Sequence, residues 1–248
     1  MNKLLFPAFL AVVFLLPTNG TAQVRNESFR STESKVQIEK LASHELQNLF
    51  PDFVEAQLYY SDRKMNILLN YNLLYNQFYF EDRGGLRTLD RLDQLDSIRI
   101  GDYVFGHIRD SGFFELSSTD MASPLLRRHM IDITTDVVAV GAFGTTDRTA
   151  SIDAVQSFSG VAEGELLDRT ISLDNPGGQE MRITLRRQEQ YHILKNGKPI
   201  AVNSRRTLLR EFDEYRTQLR DYLRRNDVDF DSREDMARLA GFIGSLPD

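Results

Sequence analysis

The sequence predicts an α+β protein: a mainly antiparallel β-meander body, sandwich-like or barrel-like, followed by a C-terminal helical hairpin. Three observations predict it. From Phe50 onward, aromatic and β-branched residues come in short runs separated by turn residues, the pattern of successive strands. The gaps between these runs are too short for the crossovers that parallel pairing needs, so neighbours should run antiparallel. After Asn203 the apolar period changes from two to about 3.6, and Leu208, Leu209, Phe212, Tyr215, Leu219, Tyr222 and Leu223 fall on one helical stripe.

Taken in order, residues 1–22 have the three parts of an export signal. Lys3 is the positive start, Leu4 to Leu16 are apolar, and Gly20 and Ala22 are the small residues before a cut ahead of Gln23. The apolar run is shorter than the roughly 20 residues that span a bilayer, so no transmembrane anchor is expected after cleavage. Residues 23–45 are polar and read as an extended segment leading into a short helix around Ser43 to Leu49. The β-rich body is expected over residues 46–203 and the helical hairpin over residues 204–248, packed on the body.

Within the body, strands are expected at Glu55–Tyr60, Met65–Asn70, Gln77–Glu81, Ser97–Ile100, Tyr103–His107 and Phe113–Leu116. Asp62-Arg63, Gly84-Gly85, Gly101-Asp102 and Ser111-Gly112 punctuate them. Leu125 to Thr134 reads as a further strand with Pro124 at its start or edge. Residues 141–160 are rich in Gly, Ser and Thr and read as a long loop or a loosely held edge. Met181 to Arg186 alternates apolar and polar. Tyr191 to Leu194 and Ile200 to Val202 flank Asn196-Gly197, a pair that accepts the positive φ angles of a tight hairpin.

In the C-terminal part, one helix is expected along the stripe beginning at Leu208 and a second from about Arg233 to Ser245, presenting Met236, Leu239, Ala240, Ile243 and Leu246. Such short amphipathic helices are marginal alone and must pack on each other and on the strands. Between them stands "NDVDFDSREDM". Counting a calcium loop from Asp227 puts Asp229 and Asp231 at ligand positions, but Ser232 replaces the turn glycine and Arg238 replaces the closing glutamate. Asp231 or Ser232 as a cap of the second helix accounts for the run better, so no metal site is expected.

The segments "LFPDFVEAQLYY", "NYNLLYNQFYF", "IRIGDYVF" and "GAFGTTDRTASI", followed by the closing helical segment, occur in that order. Together they resemble uncharacterised secreted proteins of the Bacteroidetes type, from about Leu49 to Leu246. The resemblance implies export and this fold, and it carries no activity or site residues.

Composition excludes several chemistries. There is no cysteine, so disulfides and thiol catalysis are ruled out, and a net charge of −6 opposes nucleic-acid binding. Ser61-Asp62-Arg63-Lys64 matches S-x-x-K but reads as a turn and lacks partner motifs. Gly141 to Thr146 lacks the phosphate-loop lysine. His44, His107, His129 and His192 show no ligand spacing. Tyr71, Tyr75, Phe78, Tyr79 and Phe80 are sheet aromatics before they are a sugar platform. Catalytic residues are therefore unknown, and no cofactor is expected. The expectation is an exported protein, periplasmic, outer-surface or extracellular, that acts as a non-catalytic binding or structural module of the cell envelope. Its partner would be a protein or envelope component, contacted first through residues 141–160. The alternative is a secreted hydrolase with carboxylates assembled from separate strands.

Overall fold

The computed structural model describes residues 26–116, 125–137, 152–153, 172–174 and 179–247. The chain opens with strands β1 (Asn26–Ser31) and β2 (Lys35–Gln37) and two single-turn helices, α1 (Ile38–Leu41) and α2 (His44–Gln47). The meander follows as β3 (Val54–Tyr60), β4 (Lys64–Asn72), β5 (Gln77–Asp82), β6 (Gly85–Thr88), β7 (Leu95–Ile100), β8 (Tyr103–Ile108) and β9 (Gly112–Leu116). Next come β10 (Leu125–Val137), β11 (Ile152–Asp153), β12 (Ser172–Asp174), β13 (Met181–Lys195) and β14 (Lys198–Ala201). The chain closes with helices α3 (Arg205–Glu211), α4 (Arg216–Arg225) and α5 (Arg233–Gly244).

The expected strand-rich α+β class is what the structure shows. Its main sheet is antiparallel in the order β1-β13-β10-β9-β8-β7-β3-β4-β5-β6, with β11 added beside β10 and β14 beside β13. Each expected strand from Glu55 to Leu116 forms within about two residues of its expected ends, a normal scatter for boundaries. The Asn196-Gly197 turn takes positive φ at both residues, 52° and 74°, and closes the β13–β14 hairpin.

Two apolar clusters share one face of the sheet. The larger joins Ala56, Leu58, Leu69, Tyr71, Phe78, Ile98, Phe105, Phe113, Ile183 and Leu185 to Ile38 and Leu46 of α1 and α2. Phe78 on β5 meets Phe105 on β8, at 5.0 Å between ring centroids, although β7, β3 and β4 lie between those strands. The sheet therefore curls around this core. The smaller cluster joins Leu125, Tyr191, Ile193 and Val202 to Leu208, Phe212, Leu219, Met236 and Leu239 of the helices.

Three readings change. The single helix expected along the stripe from Leu208 is two helices, because Phe212 leaves the helical region (φ −119°, ψ 51°) and a 3-10 turn follows at Asp213–Tyr215. This break keeps both Phe212 and Leu219 in the core. Met181 to Leu194 is one strand rather than two segments, because the polar stretch from Arg187 to Gln190 pairs with β10 along its whole length. The polar N-terminal segment contains β1, an edge strand paired with Met181 to Arg186 of β13. Of residues 141–160, only Ile152–Asp153 is described, pairing with Thr134–Thr135; the rest of that loop lies outside the described residues.

The aspartate run is the joint before α5. Ser232 is the cap: its Oγ accepts from the Asp235 N–H at 3.3 Å. Asp235 does not reach back to Ser232; its carboxylate accepts from the Asp229 N–H instead, and Asp229 accepts from the Asp231 N–H. Arg238 pairs with Asp235 one turn on. Ser232→Ala should cost about 1 kcal/mol and Ser232→Asp close to nothing, read from urea midpoints. Equal midpoints for all three proteins would remove the cap from this account.

Candidate functional site

Among the described residues, polar chemistry concentrates in an ionic cluster under the sheet and in a depression on its outer side. The first follows directly from register. Glu115 of β9 lies opposite Arg127 of β10, and His129 lies opposite Glu189 of β13. Directly opposed residues point to the same face, so all four project between the two apolar clusters. Ile131 and Leu185 belong to the larger cluster on one side; Leu125 and Ile193 belong to the smaller on the other.

The geometry is bidentate. Arg127 Nε donates to Glu115 Oε2 at 2.9 Å and Nη2 to Oε1 at 2.6 Å, while Nη1 donates to Glu189 Oε2 at 2.9 Å. His129 Nε2 stands 2.6 Å from Glu115 Oε2, and its Nδ1 is 3.6 Å from Glu189. The side chains of Glu115 and His129 are 4% and 7% exposed. Burial pushes the Glu115 carboxyl up, but the bonds from His129 and Arg127 outweigh it and hold the group below its ordinary value. Arg127 moves upward despite its burial, through the bond and charge of Glu115 and then the charge of Glu189. The bonds from Arg127 and His129 thus favour the ionised form of the Glu115 carboxyl.

Below this cluster, Arg187 donates to the carbonyl oxygens of Glu45, Leu46 and Asn48, filling the open C-terminal end of α2. Asn48, Asn70 and Asn72 are buried and engaged: Asn70 bonds Phe50 and Asp52, Asn72 accepts from Leu74 and Tyr75, and Asn48 accepts from the Tyr79 hydroxyl. These bonds tie the helical segment to the end of β4.

The outer depression, about 670 Å³, lies across β4, β3 and β7 and is lined by Glu55, Gln57, Asn66, Leu68, Arg99 and Gly101. It arises where the register sets Asn66, Gln57 and Arg99 in one row and Leu68 and Glu55 in the next. Continuing that row to β7 places Gly101 there, at φ 55° and with no side chain to fill the space. Leu68 is 54% exposed, the most exposed large apolar side chain among the described residues.

The positions singled out from sequence fall as follows. Ser61 to Lys64 is the β3–β4 turn, with Tyr60 N–H and C=O bonded to Arg63. Tyr71, Phe78 and Tyr79 are buried, and Tyr75 and Phe80 partly so, which leaves no stacking platform among them. His44 is exposed, His107 packs on Phe113, and His129 and His192 are buried on opposite faces of the β10–β13 pair. No group of three or more potential metal ligands occurs among the described residues. Sequence reading missed the ionic cluster. Its one local signal was Glu115 directly after Phe113-Phe114, a carboxylate inside an apolar strand. In comparisons with protein-family models, curated proteins and solved structures, none matches this chain.

His192 gives a pH dependence. Burial pushes its imidazole down to about 4, with the nearby Arg128 adding to the effect and the Gln190 carbonyl opposing it. Above pH 6.5 the group is neutral folded or unfolded. As pH falls below 6.5, the unfolded chain takes up a proton that the folded chain refuses, and stability drops by about 3 kcal/mol on reaching pH 4. Glu115, whose folded value is depressed, adds its own loss only at lower pH, as its carboxyl titrates. Denaturation midpoints measured from pH 7 to pH 4 should therefore slope downward, and His192→Leu should flatten the slope. An unchanged slope would assign the acid loss elsewhere.

Proposed function

We propose that the protein is an exported, non-catalytic binding module of the cell envelope whose contact surface is the outer side of β3, β4 and β7. The observation that carries this reading is the set of groups in the depression that lack polar partners among the described residues. Among the described residues, the side chains of Glu55 and Asn66 hydrogen-bond to no other residue, and Arg99 pairs with no carboxylate. A polar hollow with an exposed leucine among free donors and acceptors is the composition of a recognition surface.

Export rests on the N-terminal signal pattern, and the envelope fraction should contain a chain beginning at Gln23. Binding is tested by placing a photo-crosslinking amino acid at position 66 or 99 in living cells, with position 218 on α4 as the exposed control. Adducts at 66 and 99 that are missing at 218 are expected. Equal labelling at all three positions, or none, would remove this surface as the contact.

A further inference from the structure

Resting on that reading, we infer that the occupant of the depression is an extended peptide segment carrying an acidic and an aliphatic side chain. Gln57 and Asn66 are direct cross-strand partners on this face. A carboxamide carries one donor group and one acceptor, the same pair as a peptide unit. Two adjacent carboxamides can therefore hold the main chain of a segment crossing the strands, whatever its sequence. The Gln57 amide is pre-set, because its oxygen accepts from the Tyr59 hydroxyl at 2.9 Å, which leaves its NH₂ for a ligand carbonyl.

Charge gives the segment its direction. Glu55 and Arg99 line one depression without forming an ion pair, so its two signs are held apart. Lys64 on β4 and Arg99 on β7 each stack a cation on the ring of Tyr59 between them, at 5.0 and 5.9 Å from its centre. Two cations without a carboxylate partner fit an acidic side chain. At the other end, Leu68 offers an apolar surface beside Glu55. Three strands about 4.8 Å apart span roughly 10 Å, which is about three extended residues. That span, three steps of about 3.3 Å, sets the acidic and aliphatic side chains about three residues apart along the segment. A sugar chain fits less well, because the ring at this site is already occupied by cations. A nucleic-acid strand is opposed by Glu55 and by the net charge of −6.

The test uses the purified mature chain, residues 23–248, and an immobilised library of random heptapeptides. Enrichment of Asp or Glu about three positions from Leu, Ile or Val is expected. A peptide so selected should bind at least about tenfold more weakly to Arg99→Glu and to Leu68→Asp, as for loss of a central contact. Reversing its acidic residue to Lys should restore binding to Arg99→Glu. Both positions are exposed, and unchanged urea midpoints will show that the variants fold. A library that yields no such pattern, or selected peptides indifferent to both variants, overturns the peptide assignment. If a glycan array then binds and loses its signal with the same variants, the contact surface stands and only the ligand class falls. If neither probe responds to either variant, surface and ligand class fall together.

Discussion

Glu115→Ala is expected to lower the free energy of unfolding by about 3 kcal/mol, the lower end of the cost of breaking a buried ion pair, because Glu189 still holds Arg127 by one bond at 2.9 Å. The substitution strips Arg127 of both bonds of its bidentate pair and leaves His129 facing Glu189 alone. Arg127 cannot shed its proton, and its side chain is 12% exposed, so water replaces the lost carboxylate poorly. The net contribution of the intact cluster to stability should be small, because the desolvation of its charges offsets their attraction. The cluster lies on the face where the body core and the helical core meet, and it is satisfied only when β9, β10 and β13 are in the observed register. Replacing Glu115, Arg127 and His129 together by Leu, Met and Leu should therefore recover most of the loss. Urea denaturation of the single and triple variants decides the matter. A single-variant cost below about 1 kcal/mol would mean that the cluster is solvated.

Phe78→Ala should cost a comparable amount, about 3–5 kcal/mol, for a different reason. Phe78 is 1% exposed and stands at the centre of the curled sheet, with ring centroids 4.7 Å from Tyr71 and 5.0 Å from Phe105 and Phe113. Removing it opens a cavity bounded by β4, β8 and β9, strands that main-chain bonds already fix and that cannot close over the gap. Phe80→Ala, two residues on at a partly buried position, supplies the comparison and should cost clearly less. Equal losses at the two positions would show that the sheet does not close over Phe78 as described.

The legible parts of the fold were local ones. Alternation from Glu55 to Leu116 located six strands, because side chains of a strand point alternately to its two faces and only one of those faces is buried. Asn196-Gly197 located a hairpin because the positive φ angles required there suit those two residues. "NDVDFDSREDM" located a helix start because a serine oxygen can accept a free backbone N–H whatever the surroundings. The helix break at Phe212 was less legible. An apolar stripe with a phase shift of one 3-10 turn looks continuous when read at a fixed period.

By itself, then, the sequence determined the class, six of the seven strands of the meander, the hairpin and the capped final helix, each a matter of neighbouring residues. It also ruled out thiol chemistry through the absence of cysteine. The tertiary structure alone decided that β1 returns to pair with β13 and that the long β10 and β13 run in a register placing His129 opposite Glu189. It likewise decided that Asn66, Gln57 and Arg99 stand in one row above an empty glycine position. The reason is physical: a one-residue slip between two strands leaves each strand's own periodicity intact but reverses which side chains meet. Both polar constellations are products of register, and register is fixed only when distant strands bury their faces together.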